Sequence, residues 1–105
     1  MLSFSSKWVE PILKGTKDVT LRKWPTARVK VGQTYDAAVI GYPPKKFARV
    51  EVTGLRRIKL RDIDDSLAKR DGAKSAKEVE AYWKKQGFGP DKDMWLVEFK
   101  LQKAK

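Results

Sequence analysis

The chain contains no histidine and no cysteine. That excludes Ser-His-Asp and Cys-His nucleophilic catalysis, thiolate chemistry and zinc–cysteine sites, and it removes the commonest transition-metal ligands. Any chemistry must run on lysine, arginine, aspartate, glutamate, threonine, serine or tyrosine. Such side chains crowd into one short stretch, Gly15-Thr16-Lys17-Asp18-Val19-Thr20-Leu21-Arg22. No metal or cofactor is expected from the residues available.

Charge points to the class of partner. Lys and Arg number 24 against 13 Asp and Glu, a formal net charge of +11, and residues 1–61 carry nearly all of the excess. A face so loaded attracts polyanions through counterion release and long-range steering. RNA, or a nucleoside derived from it, is the expected partner, met by Arg22, Lys23, Arg28, Arg56, Arg57 and Lys59. Trp24 follows two of these cations and precedes a proline loop, so it reads either as a core aromatic or as a platform for base stacking. No apolar run approaches the roughly 18 residues of a membrane span, no basic amphipathic helix is present, and the first residues lack the long apolar region of a secretory signal. The expectation is a cytoplasmic protein with no membrane partner. Nothing in the sequence indicates an oligomeric state.

The elements that must position these groups follow from periodicity. With four tryptophans, three tyrosines and four phenylalanines in 105 residues, the chain can fill one domain core, residues 1–105. Leu2–Phe4 reads as a short strand. Ser5 and Ser6 are candidate caps for a helix carrying Trp8, Val9, Ile12 and Leu13 and closed by Gly15, shortened or made irregular by Pro11. Asp18 to Lys23 alternates as a half-buried strand, and Trp24-Pro25 ends it. Thr34–Ile40 and Phe47–Leu60 are further strands, the second bent at Gly54 with Ala48, Val50 and Val52 inward. Two short helices follow, one carrying Ile63, Leu67 and Ala68 and stopping at Asp71-Gly72, the other opening on the capping box Ser75…Glu78. The last strand alternates Trp95, Val97, Phe99 and Leu101 inward against Leu96, Glu98 and Lys100, and the Lys103–Lys105 tail is expected to fray. Trp8, Trp83 and Trp95 read as core. The fold class is α+β: a small mixed β-barrel of five to six strands with two or three short helices, since small sheets hide their edges by curling.

The stretch from Gly15 to Arg22 resembles the G-x-K-x-x-T-x-R signature of the ASCH family, within the PUA-like superfamily. The order of flanking features agrees along nearly the whole chain: a helix before the motif, Val29 to Gly32 and Tyr35 after it, a late Asp-Gly and capping-box helix, and a final Trp-Leu-Val-Glu-Phe strand. The resemblance implies a PUA-like barrel with a cleft bordered by the motif and an association with RNA. Small members of the family hydrolyse 4-acetylcytidine with the motif lysine and threonine and a later glutamate; others are linked to RNA cleavage. Lys17 and Thr20 match the first two, and after a one-residue gap the third corresponds to Asp71, one methylene shorter. Glu78 and Glu80 nearby read instead as a capping residue and part of the solvated helix face. In the enzymatic case Lys17 would be the base, Thr20 the nucleophile and Asp71 the acid. A lysine serves as a base only where burial or cationic neighbours, here Arg22 and Lys23, lower its pKa from about 10.4. A strict strand would set Lys17 and Thr20 on opposite faces, so Gly15 to Asp18 must turn. The leading expectation is therefore an RNA-binding domain with a basic cleft around the motif. The alternatives are an amidohydrolase of the 4-acetylcytidine type and an RNA-cleaving enzyme.

Overall fold

The alternating segments pair into one five-stranded sheet. The structure, a computed structural model, describes residues 1–102; the Lys103–Lys105 tail lies outside the described residues. The strands are β1 (Leu2–Phe4), β2 (Val19–Arg22), β3 (Thr34–Val39), β4 (Lys45–Lys59) and β5 (Asp93–Leu101), in the spatial order β1-β3-β4-β5-β2. β1 runs parallel to β3 and every other pair is antiparallel. The sheet is mixed and curls into a half-barrel with α+β character. Its two edges are β1 and β2. They do not pair, but Arg22 Nη2 donates to Ser3 O at 2.8 Å and ties one edge to the other. The result is a seam.

Curvature has identifiable causes. The β3–β4 register slips between Ala37 and Ala38, and the β4–β5 register slips between Val52 and Gly54, each slip adding local twist and bend. A Cβ on Gly54 would lie 3.1 Å from the Glu98 carboxyl group, a tight contact that the Glu98 side chain would have to relieve by shifting.

Two apolar clusters fill the two faces. Inside the curl lie Leu2, Phe4, Val50, Val52, Val97 and Phe99. On the outer face, under the helices, lie Val19, Leu21, Ile58, Met94 and Leu96 with Ile63, Ala68 and Val79. The last strand thus departs from the expected one-sided alternation: Val97 and Phe99 enter one core, while Met94 and Leu96 enter the other. Leu96 is buried rather than solvent-facing, Leu101 is exposed, and Trp95 is only half-buried. A central strand covered on both faces loses the period-2 signal.

Three short helices complete the fold. A 3-10 turn, Ser6–Trp8, leads into α1 (Val9–Lys14). Ser5 stands at the start of the turn, yet its side chain makes no cap bond. Pro11 falls within the first turn of α1, where an N–H has no helical acceptor, so it is tolerated. Gly15 closes the helix at φ +81°. Asp64 caps α2 (Asp65–Arg70), accepting from Leu67 N at 2.8 Å. Ser75 caps α3 (Ala76–Lys85), accepting from Glu78 N at 3.3 Å. No helix among the described residues is long and apolar enough to cross a membrane.

Candidate active site at the seam

The turn after α1 decides where Lys17 goes. Pro11 O accepts from Thr16 N at 3.0 Å and Lys17 N at 3.1 Å, holding Gly15 to Lys17 as a compact turn before β2 begins. The lysine side chain is thereby directed inward. It is 3% exposed, and Thr20, on β2, is 6% exposed. Lys17 Nζ donates to Val19 O at 2.9 Å, to Asp71 O at 2.8 Å and to Asp71 Oδ1 at 2.7 Å. Three acceptors around one nitrogen match the three N–H bonds of an ammonium. Asp71 arrives from the C-terminal end of α2, fifty-four positions later in the chain. It is the partner that the gapped match pointed to.

Electrostatics make this pair unusual. Burial pushes the Lys17 ammonium below the ordinary lysine range, aided by Arg22 and opposed by the attraction and hydrogen bond of Asp71. Burial likewise raises the Asp71 carboxyl above the usual carboxylate range, opposed by Lys17 and Arg22. Both partners are thus displaced toward their neutral forms. One wall beside the pair is Trp8, whose ring lies 4.8 Å from Lys17 Nζ. Trp8 also packs on the backbone next to Asp71: a Cβ on Gly72 would fall 2.3 Å from the indole, and Gly72 has φ +97°. Any residue but glycine there would displace the wall.

A cavity of about 280 Å³ opens on these groups, lined by Ser3 and Phe4 of β1, Thr20, Leu21 and Arg22 of β2, Lys17, Asp71, Trp8, and Val79, Tyr82 and Trp83 of α3. That is near the lower end for small-molecule sites, roughly 300 Å³. Arg22 lies in its floor with its guanidinium 4.9 Å from the Phe4 ring, and burial lowers its pKa from the ordinary arginine value. Lys7 stands at the mouth, 4.9 Å from the Trp8 ring and 6.0 Å from the Tyr82 ring. Among the described residues no group of acidic side chains is arranged to hold a metal ion.

These findings fix the geometry of the fold. No family model and no curated protein sequence matches the chain; the likeness is one of structure. An ASCH domain from Lactobacillus crispatus superposes with a TM-score of 0.68 at 21% identity, over 89% of this chain and 69% of that one. The chain has the ASCH fold. A protein from Enterococcus faecalis, of the family model DUF984, superposes at 0.69 and 15% identity over 90% of this chain and 69% of its own. A point mutant of an ASCH protein from Zymomonas mobilis gives 0.64 and 12% identity over 94% of this chain and 66% of its own.

Within the ASCH fold the sequence-predicted residues divide. Lys17, Thr20, Asp71 and Arg22 come together in the seam cavity. Arg56, Arg57 and Lys59 do not. They line a separate open groove with Asp62, Asp64 and Asp93, where Asp93 lies 3.3 Å from Lys59 Nζ and 3.8 Å from Arg57 Nη2. Arg57 also lies 4.9 Å from the ring of its cross-strand partner Trp95. Arg28 and Lys23 are exposed, Lys23 with its Nζ 5.5 Å from the Phe88 ring. Trp24 is half-buried and packs against the inner core. Asp18 of the motif accepts from Arg70 Nε at 2.8 Å. Sequence reasoning missed the mouth: Lys7, Tyr82 and Glu78 all line it. Glu78 gives its backbone N–H to the Ser75 cap and also lines the cavity. The only signal for them was helical spacing, with Tyr82 one turn beyond Glu78.

Proposed function

We propose that the chain hydrolyses the amide of an N-acylated nucleoside of the 4-acetylcytidine type. The observation that carries this reading is the part-buried 2.7 Å contact between Lys17 Nζ and Asp71 Oδ1 in the cavity that Thr20 lines. With no histidine, a threonine hydroxyl can be activated only by such a lysine or carboxylate. Passage of the shared proton from Nζ to Oδ1 leaves an amine and a carboxylic acid, the form that burial favours for both. Lys17 then takes the Thr20 proton as Oγ attacks the acyl carbonyl. Asp71 gives its proton to the departing nucleoside nitrogen as the C–N bond breaks, leaving an acyl-threonine ester. Water attacks the ester, its proton passing to the Asp71 carboxylate, and the Lys17 ammonium reprotonates Thr20 Oγ as the carboxylic acid leaves. The pair is restored.

The aromatic walls fit a flat base. Phe4, Trp8, Tyr82 and Trp83 surround the space, and Arg22 supplies a cation to the floor. The test is incubation of the purified chain with 4-acetylcytidine and separation of the products. Release of cytidine and acetate supports the reading, and no release from any acylated cytidine overturns it.

Exposed cations favour a second reading, RNA binding. Arg28, Arg56 and Lys23 stand in solvent on the half of the chain that carries the charge excess, and a basic surface of this kind holds phosphates. The two readings are compatible, because they use different residues.

A further inference from the structure

The ladder of β2 leaves one peptide group in the cavity wall unclaimed. Phe99 N donates to Asp18 O at 2.9 Å, and the register sets Thr20 against Val97 and Arg22 against Trp95. In an antiparallel pair, alternate residues spend both backbone groups on the neighbouring strand. Asp18 gives its N–H to Arg70 O at 3.0 Å and bonds to β5 through its carbonyl alone; by the same register Thr20 and Arg22 bond to β5, and the N–H and C=O of Val19 and Leu21 point to the open edge. Val19 agrees: its carbonyl accepts Lys17 Nζ at 2.9 Å. On the facing edge, Phe4 O accepts Ile40 N at 2.9 Å on the β3 side, so the groups of Ser3 point into the seam, where Ser3 O meets Arg22.

The motif cations thus occupy Val19 O and Ser3 O, one on each edge. Between them lie Leu21 N–H and C=O, which the alternation leaves without a partner on β5. Leu21 is 6% exposed and belongs to the helix-side core, yet it also lines the cavity, as backbone groups at an open strand edge would. An enclosed peptide group without a partner is costly, and a ligand that bonds to it removes the cost.

We propose that the Leu21 peptide group reads the edge of the acylated base: its carbonyl accepts the ligand's secondary amide N–H, and its own N–H donates to an acceptor on the same edge. This rests on the amidohydrolase reading and narrows its substrate class to secondary amides. A tertiary amide would leave the Leu21 carbonyl enclosed and unbonded, and sites built around such a bond discriminate strongly against ligands lacking it.

The test observes the Leu21 amide directly. In the Thr20→Val chain, which cannot consume substrate, titration with 4-acetylcytidine should move the Leu21 amide proton downfield and slow its exchange about tenfold or more. The N4-methyl-N4-acetyl analogue should bind about tenfold more weakly. If that variant fails to fold, N4-methylcytidine, which keeps the N–H and has no acyl group, gives the same readout on the wild-type chain. Hydrolysis of 4-acetylcytidine by the wild type, with the Leu21 amide unmoved and both amides bound equally, overturns the proposal and leaves the hydrolase standing. Failure of the wild type to hydrolyse any acylated cytidine overturns both together.

Discussion

The seam and the β4–β5 groove contain the same chemical pair in opposite settings. In the seam, Lys17 meets Asp71 at 2.7 Å with the lysine side chain 2% exposed. In the groove, Lys59 meets Asp93 at 3.3 Å with both side chains about half in water, 40% and 49% exposed. Water screens the second pair, which is worth about 0–1 kcal/mol. Around the first pair Trp8 packs against Lys17 and the Gly72 backbone, so the charges are screened less and lean on each other more strongly. The residue types are identical; enclosure alone separates an ion pair that decorates a surface from one suited to acid–base work.

The contrast should show most plainly in stability. Asp71→Ala strands the Lys17 ammonium in an enclosed site and should cost about 3–5 kcal/mol, whereas Asp93→Ala should cost under about 1 kcal/mol. Urea unfolding of both variants checks this, and equal losses would mean the seam pair is as wet as the groove pair. Gly72→Ala comes next. It sets a side chain into the indole at a left-handed φ, so it should destabilise by about 1–3 kcal/mol and slow turnover of an acylated nucleoside by opening the wall. Gly54→Ala meets only the flexible Glu98 carboxyl, and so makes a milder control.

Dependence on pH separates the enclosed pair further. The pair works with one proton shared between Lys17 and Asp71, so the rate should rise with pH as the pair sheds its first proton and fall as it sheds the second. Asp71→Asn removes the acid and leaves Lys17 as the one member of the pair that titrates. The falling limb should therefore disappear while the maximal rate drops. A falling limb that survives in Asp71→Asn would detach it from this pair.

How far the sequence disclosed all this differs from residue to residue. The turn at Gly15, the alternation of β2 and the bend at Gly54 were legible because each depends on neighbours within a few positions. The Lys17–Asp71 contact was legible only through the family resemblance, since no local pattern links residues fifty-four apart. The two-sided burial of β5 was hidden, because Leu96 looks polar-facing until α2 and α3 cover it. Arg57 and Lys59 looked like free phosphate contacts. Their pairing with Asp93 follows from a strand register that spacing cannot supply.

The smallest effect is expected in the groove. Arg56→Glu with Arg57→Glu should weaken single-stranded RNA binding severalfold, with Lys84→Glu and Lys85→Glu on α3 nearly neutral. If about four to six phosphates are contacted, the log–log salt slope should be roughly −3 to −4. Equal losses on both faces would mean the charge is spread rather than focused. Trp24→Ala distinguishes the two readings of that residue. It packs on the inner core, so a lowered melting temperature with unchanged affinity marks it as core, and an affinity loss of about 1–3 kcal/mol marks it as a stacking platform.

Activation of Thr20 by the enclosed pair is what the proposed chemistry depends on. Turnover of 4-acetylcytidine by the wild type, Thr20→Ser and Thr20→Val, measured in one series at the pH of the wild-type maximum, is the decisive measurement. Thr20→Val keeps the shape without the hydroxyl and should fall by more than about a hundredfold, while Thr20→Ser, which keeps a nucleophile, should retain measurable activity. Wild-type turnover that survives in Thr20→Val would rule this chemistry out, because the Lys17–Asp71 pair would then be working on something other than the threonine that lines the same cavity.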